Sequence, residues 1–338
     1  MTEANTETVK TATGAVEPEI VPMSKRVLSL VARYWLLCFL IIEIVIFAII
    51  SPDTFPTTAN AQALLLQNVV PLVAALALML PLIVGEFDMS IGAIVTVGAV
   101  VAAGSMRAGT NTALSILAAL VVAGLVGVIN SIIVSRLQVT SLIATLGVAT
   151  VLGGIINEYT QGLVLNRGIS PWLIDLAPRL FLNIPILSIF ALLVAVVVWV
   201  VLEFTVFGRQ LVAIGANRKG AQLLGLRDRT LVALTFVIAG CVAALAGVLQ
   251  VSIEAGANPT SAGFPLVVTA LTAVYLGATC FKTGHFNTWG TLVGVLFLAV
   301  GTSGLSLAGL AAWVQDVFTG TSLIVALGMS VAFRRVTV

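Results

Sequence analysis

Residues 85–93, GEFDMSIGA, set two carboxylates, Glu86 and Asp88, between apolar runs that would otherwise pass for one unbroken membrane segment. Whether these acids end one span and begin another fixes the number of crossings. It also fixes the side of the membrane on which every later loop falls.

Composition makes the membrane setting plain. Of 338 residues, 59% are hydrophobic and 9% charged, with a mean hydropathy of +1.15, whereas about a quarter of a soluble domain is charged. The apolar runs are long and continuous, unlike the roughly ten-residue alternating strands of an outer-membrane barrel, so the spanning segments are helices. In lipid they must satisfy their own backbone hydrogen bonds. The net charge of +2 carries little information, and nothing resembles a nucleic-acid-binding pattern. Cys38, Cys241 and Cys280 lie in apolar stretches without metal-ligand or CxxC spacing and read as small buried hydrophobes.

Residues 1–24, rich in Thr, Glu and Ala, lack the apolar content to fold alone and read as a disordered cytoplasmic tail. The run after Lys25 and Arg26 is too long for a signal-peptide core and has no small-residue cleavage pattern, so it reads as a retained span. Apolar runs of spanning length follow at about 27–50, 62–84, 89–106, 112–134, 140–158, 185–206, 230–251, 264–281, 286–305 and 313–333. The expectation is an all-α polytopic membrane protein of about ten transmembrane helices, one domain over 25–338. With that count, Lys25, Arg26, Arg33, Arg136, the basic cluster from Arg209 to Arg229, Lys282, Arg334 and Arg335 share one side. Basic short loops stay inside, so both termini are placed in the cytoplasm. Arg107, Arg167 and Arg179 fall outside as exceptions. The long outer segment 159–182, with Pro171, Trp172 and Pro178, suits a structured interfacial piece. Glycines at 124 and 127, 147, 153 and 154, 290 and 294, and 301 and 304 provide places for close helix approach.

Two readings of Glu86 and Asp88 remain open. They could lie solvated in an inner loop, where an acid costs little, or in a helix break within the membrane, lining a solute route. Neighbouring residues favour the break: Gly85 and Gly92 flank the acids, Ser90 adds a hydroxyl, and Pro71 and Pro81 interrupt the preceding helix. Gln67, Asn68, Asp88, Ser90, Gly92 and Thr145 are therefore candidates for the translocation path, with Thr96 nearby. Neutral donors and acceptors of this kind suit a sugar-like small polar solute. Glu43 reads as an interhelix contact, Glu158 and Glu203 as acids near the membrane surface, and His285 as a surface group in the FKTGHF loop.

The longest inner segment, 207–230, reads FGRQLVAIGANRKGAQLLGLRDRT. Asn217 can cap a short helix through Leu224, with Gly225 as its stop. Ala221, Leu223 and Leu224 give that helix an apolar face, with Arg218, Lys219 and Arg227 at its edges. From the residues alone it is either an amphipathic helix on anionic lipid or a docking helix for a soluble subunit.

Five ordered motifs give a resemblance. SPDTF at 51–55, EFDMSIG at 86–92, TLGVATVLGG at 145–154, GANRKGAQLLGL at 215–226, and AVYLGATCF followed by WGTLVG at 289–294 resemble elements of the permease subunits of ribose-type sugar ATP-binding-cassette (ABC) importers. The likeness covers most of residues 25–335. It implies a type II importer-like permease fold in a bacterial inner membrane. It also implies a transport subunit that is not itself an enzyme, with no catalytic or metal-ligating residues. Gly215, Asn217, Arg218, Lys219, Ala221, Leu224 and Gly225 would form the ATPase-coupling segment. The implied partners are ABC ATPase subunits, which carry the ATP and Mg, an external solute-binding protein and a second permease chain, as a homodimer. Consistent with a separate motor, no G-x-x-x-x-G-K-[ST] pattern occurs. Glu86 stands where the family usually has Gly, and Ala278 replaces a Gly. The rival is an ion-coupled secondary transporter, whose mark would be paired embedded acids or broken helices in both halves. In the second half only Asp316 is such an acid. An embedded enzyme would need clustered His, Asp or Cys, and the chain has one His.

Overall fold

In a computed structural model, residues 23–336 are described, with side chains over 34–329. The expected disordered tail therefore lies, for its first 22 residues, outside the described residues, as do the side chains of Lys25, Arg26, Arg33, Arg334 and Arg335.

Every apolar run becomes helix. The helices are α1 (Met23–Ile50), α2 (Thr58–Gln67), α3 (Val69–Ile83), α4 (Ile91–Arg107), α5 (Thr112–Ser131, continued by a π turn Ile132–Arg136) and α6 (Ser141–Thr160). They continue with α7 (Pro171–Ile174), α8 (Ile186–Phe204), α9 (Val206–Ala216), α10 (Arg218–Leu223), α11 (Asp228–Glu254), α12 (Gly263–Gly277), α13 (Thr288–Leu307) and α14 (Ala312–Val336). Seven segments among the described residues are long and apolar enough to cross a membrane, α2 and α3 counting as one. The expectation of about ten spans thus stands at seven by length and apolarity. Of the other three expected spans, α1 is a 28-residue helix whose part from Tyr34 to Ile50 is apolar, while Ile91–Arg107 and Gly263–Gly277 are short.

Packing gives a reason for the shortness of α4 and α12. In the ten-span scheme α4 starts at the inner surface and α12 at the outer one. Yet an added Cβ on Gly92 would overlap the carbonyl oxygen of Gly263. The two helix starts touch, so the two helices cannot both be full crossings that begin at opposite surfaces.

Central to the bundle is α11, two thirds of whose most apolar window is buried. It packs on α3, α4 and α5. Lipid offers no hydrophobic drive for helix association, so close backbone approach has to supply it. Small residues allow this: Gly127 of α5 sits over the Phe236 carbonyl, Gly240 of α11 over the Ala123 carbonyl and Gly247 over the Val95 carbonyl. Helices α12 and α13 meet in the same way through Gly277, Gly290 and Gly294. Thirteen of the fifteen residues of α3 are buried. Gly147, Gly153 and Gly154 of α6, by contrast, face open space rather than another helix of the chain.

The segment expected at 159–182 has local structure, running from the end of α6 at Thr160 to Pro185. It carries α7 and a hairpin pairing Leu180–Phe181 with Ile184–Pro185. The hairpin turn residues Leu182 and Asn183 both have positive φ, the conformation of a two-residue type I′ turn. Leu165 pairs with Ala257, and the Ser252 hydroxyl donates to the Leu173 carbonyl. These contacts fasten the segment to the far end of α11.

Candidate functional site

Segment 207–230 folds much as its sequence suggests. Thr205 caps α9 by accepting from Gly208 N at 3.2 Å. Asn217 ends α9 and caps α10, its Oδ1 accepting from Gly220 N at 2.9 Å. Gly225, at φ +78°, turns the chain out of the helix, and Leu226 N donates back to the Ala221 carbonyl at 3.1 Å, a glycine stop. Ala221 is buried in a cluster with Leu211, Ile214, Val232 and Phe236. Gly215 lies against the Ile83 carbonyl, where a Cβ would not fit, so α9 sits flush on the end of α3.

The apolar face of α10 is divided. Ala221 points inward, while Leu223 and Leu224 are 89% and 83% exposed. Lys219 is exposed. Arg218 is not the free edge cation that its position in the sequence suggests. Its Nη1 donates to Glu86 Oε1 at 2.8 Å and its Nε to Asp228 Oδ2 at 3.1 Å, while Gln222 Nε2 donates to the same Asp228 oxygen at 3.0 Å. Partial burial works against the guanidinium charge, but the hydrogen bonds and charges of Glu86 and Asp228 outweigh it and hold Arg218 above its ordinary value. Glu86 is therefore the anchor that joins α10 to the α3–α4 connection. Asp228 could have been suspected from sequence as the lone acid between Arg227 and Arg229; nothing in the sequence links Glu86 to a residue 132 positions away.

The α3–α4 connection is a true helix break. Gly85, at φ +84°, reverses the chain after α3. The following residues bond outward to α6: Phe87 N to Ser141 Oγ at 3.0 Å and Met89 N to Thr145 Oγ1 at 2.9 Å. Asp88 Oδ1 accepts from Ser90 N at 2.9 Å and from Ser90 Oγ at 2.5 Å, and Asn130 Nδ2 donates to that hydroxyl at 2.7 Å. Asp88, Ser90, Asn130 and Thr145 are all fully buried, which overturns the solvated-loop reading for Asp88. Asp88 Oδ2 and Asn130 Oδ1 have no partner among the described residues. The sequence did not single out Asn130, although it is the first polar residue of α5 after Ser115.

Gln67 and Asn68 lie elsewhere, so the structure does not bring the six path candidates together. The α2–α3 step falls at Asn68 because Pro71 has no N–H to give to the Gln67 carbonyl. Both side chains border a cavity of about 250 Å³ shared with α13 and the start of α14. Ser303, Ser306 and Gln315 line it too, residues the sequence did not single out. A larger cavity, about 660 Å³, lies between α8, α9 and residues 281–293; Trp199 and Trp289 line it together with the Glu203–Lys282 ion pair.

A family model described as the permease component of the branched-chain amino acid transport system matches residues 60–327. The chain belongs to that permease family. This permease is 31% identical over 292 residues to the ribose import permease protein of Bacillus subtilis, covering 85% of this chain and 89% of the relative. It is 27% identical to the D-allose transport system permease protein of Escherichia coli, over 88% of this chain and 91% of that one. The autoinducer 2 import system permease protein of Salmonella paratyphi B is 29% identical, with 82% of each chain covered. No solved structure matches. Family membership and the spanning helices make this a multi-pass membrane protein and a transport component.

Proposed function

We propose that this permease forms the translocation path of an ABC importer for a sugar or similar small polar solute. It would work as a pair of identical chains in the bacterial inner membrane, with both termini in the cytoplasm and about ten helices engaged with the bilayer in a type II arrangement. Separate ATPase subunits hold ATP and Mg, and an external binding protein delivers the solute. The sugar and autoinducer 2 permeases among its relatives support this reading.

The observation that carries it is the two-sided build of α10. Its outer side offers Leu223, Leu224 and Lys219 to solvent, as a docking surface for a soluble subunit must. Its inner side is tied by Arg218 to Glu86 and Asp228. ATPase closure would move α10, and the Arg218 ties would carry that motion to the α3–α4 break and to α11. The solute route then opens alternately to each side, each ligand acting only through its differential affinity for the two states.

The test is reconstitution of the complex carrying Leu223→Asp with Leu224→Asp. Membrane insertion should persist while ATPase capture and ATP-driven uptake are lost. Wild-type uptake in this variant would refute docking at α10. Uphill uptake by the permease alone, in liposomes with a proton or sodium gradient, would refute the ATP-driven reading as a whole.

A further inference from the structure

The geometry points to a binding station for an uncharged polyhydroxyl solute in the cavity between α2, α13 and the start of α14. This rests on the importer reading and adds where the solute is held and why a charged one is refused. The cavity, about 250 Å³, carries no Lys, Arg, Asp, Glu or His in its wall. It is instead ringed by Gln67, Asn68, Thr302, Ser303, Ser306 and Gln315.

Several of these groups are held in place and leave a defined valence open. Asn68 Nδ2 donates to the Leu64 carbonyl at 2.8 Å, which leaves its Oδ1 to accept. Thr302 donates to the Leu298 carbonyl at 2.8 Å and keeps its lone pairs. Ser303 donates to Asn60 Oδ1 at 3.1 Å, and Asn60 is itself anchored by donating to the Phe55 carbonyl at 2.9 Å. The side chains of Gln67, Ser306 and Gln315 make no hydrogen bond to other described residues and supply both donors and acceptors.

A sugar hydroxyl both donates and accepts, so a neutral wall of mixed polarity can satisfy several at once. Leu64 and Leu307, also in the wall, suit the C–H face of a sugar ring. A carboxylate, phosphate or ammonium would shed water here and find no countercharge, a large penalty. The volume lies just below the usual range for small-molecule pockets, which favours one monosaccharide ring over a disaccharide. Three other cavities differ in kind. The one beside Trp199 and Trp289 carries an ion pair, the one between α3, α8 and α13 has only Asn68 and Ser188 as polar side chains in an otherwise aliphatic wall, and the one between α1, α12, α13 and α14 is walled largely by aromatic and aliphatic side chains such as Trp35, Phe39, Phe297 and Phe318.

Ser306→Cys, in a chain with the exposed Cys38 replaced by Ser, tests this in the assembled complex. The rate of alkylation by a small maleimide is followed with ribose, allose or glycerol, and with ribose 5-phosphate. At millimolar concentration at least one uncharged probe should slow labelling two-fold or more, and the phosphate should not. Equal rates with every uncharged probe, or equal protection by the phosphate, overturn the proposal. In parallel, Gln67→Leu and Gln315→Leu should raise the half-saturating solute concentration for uptake several-fold, while ATPase stimulation by the binding protein stays intact. If stimulation and uptake fall together, the residues are structural and the station is refuted. Failure of the importer reading would look different: the unmodified complex would then show no ATP-driven uptake at all.

Discussion

Arg218 is the side chain on which most depends. It satisfies two carboxylates from two different elements, and neither Glu86 nor Asp228 is well exposed, at 12% and 14% of side-chain surface. Arg218→Gln would leave both acids uncompensated, while Arg218→Lys would keep the charge but lose the forked geometry. Arg218 is itself 40% exposed, so solvent screens the pair. A double-mutant cycle of Glu86→Gln with Arg218→Gln should therefore give a coupling of only about 0.5–1 kcal/mol in thermal melts, falling as salt rises. A coupling of zero at low salt would show that the contact contributes nothing to stability. Asp88 makes the opposite case. Asp88→Asn keeps an acceptor for Ser90 and removes a buried charge, so its melting temperature should match or exceed wild type. Asp88→Ala strands the Ser90 amide and should cost about 1–3 kcal/mol. If Asp88→Asn melts as early as Asp88→Ala, the hydrogen bonds to Ser90 are not what holds the break. At this scale the sequence revealed the acids, the cap at Asn217 and the stop at Gly225, because those signals are local. It could not reveal that Glu86 meets Arg218 or that Ser90 meets Asn130, since both pairs arise only once helices distant in the chain have packed.

Among the elements, α9 and α10 form a rigid elbow seated on the end of α3. The seat requires Gly215, where any side chain would collide with the Ile83 carbonyl. Gly215→Val should lift α9 and weaken the tie at Glu86, lowering ATP-driven uptake, while capture of ATPase subunits should persist if they dock on Leu223 and Leu224 as proposed. Unchanged uptake would show that the seat is not part of the coupling route. Helix types were legible here because apolar runs of about twenty residues in this composition have few alternatives. Helix reach was less so. The run at 264–281 looks long enough to span, yet α12 ends at Gly277 and starts beside Gly92, a consequence of glycine-to-backbone packing that no hydropathy profile contains. The division of α10 into a buried Ala221 and exposed leucines also follows from which face α11 and α9 cover.

At the scale of the whole molecule, the bundle is built around α11. Gly247→Leu would drive α11 away from α4 at the Val95 carbonyl. Overpacking of this kind costs about 1–3 kcal/mol, and the variant should melt earlier. Normal melting would mean that the crossing tolerates a side chain and is looser than drawn. The bundle as a class was evident from composition, and the ordered segment 161–185 from its prolines and Trp172. Which helices occupy the centre was not, because α3, α5, α8 and α11 are similarly apolar in sequence; α3 and α8 both lack glycine, yet thirteen of fifteen α3 residues are buried against four of nineteen in α8, a difference set by the helices that pack around each.

Helix α11 runs 27 residues without a break, about 40 Å at the usual rise. Asp228 at one end is pinned to Arg218, and Ser252 near the other is pinned to Leu173. Such a shaft could act like the crossbar of a balance. If α10 docks a motor as proposed, weight placed on one pan and force applied at the other would be a single tilt seen from opposite ends, and word of an arriving cargo would need no relay of side chains.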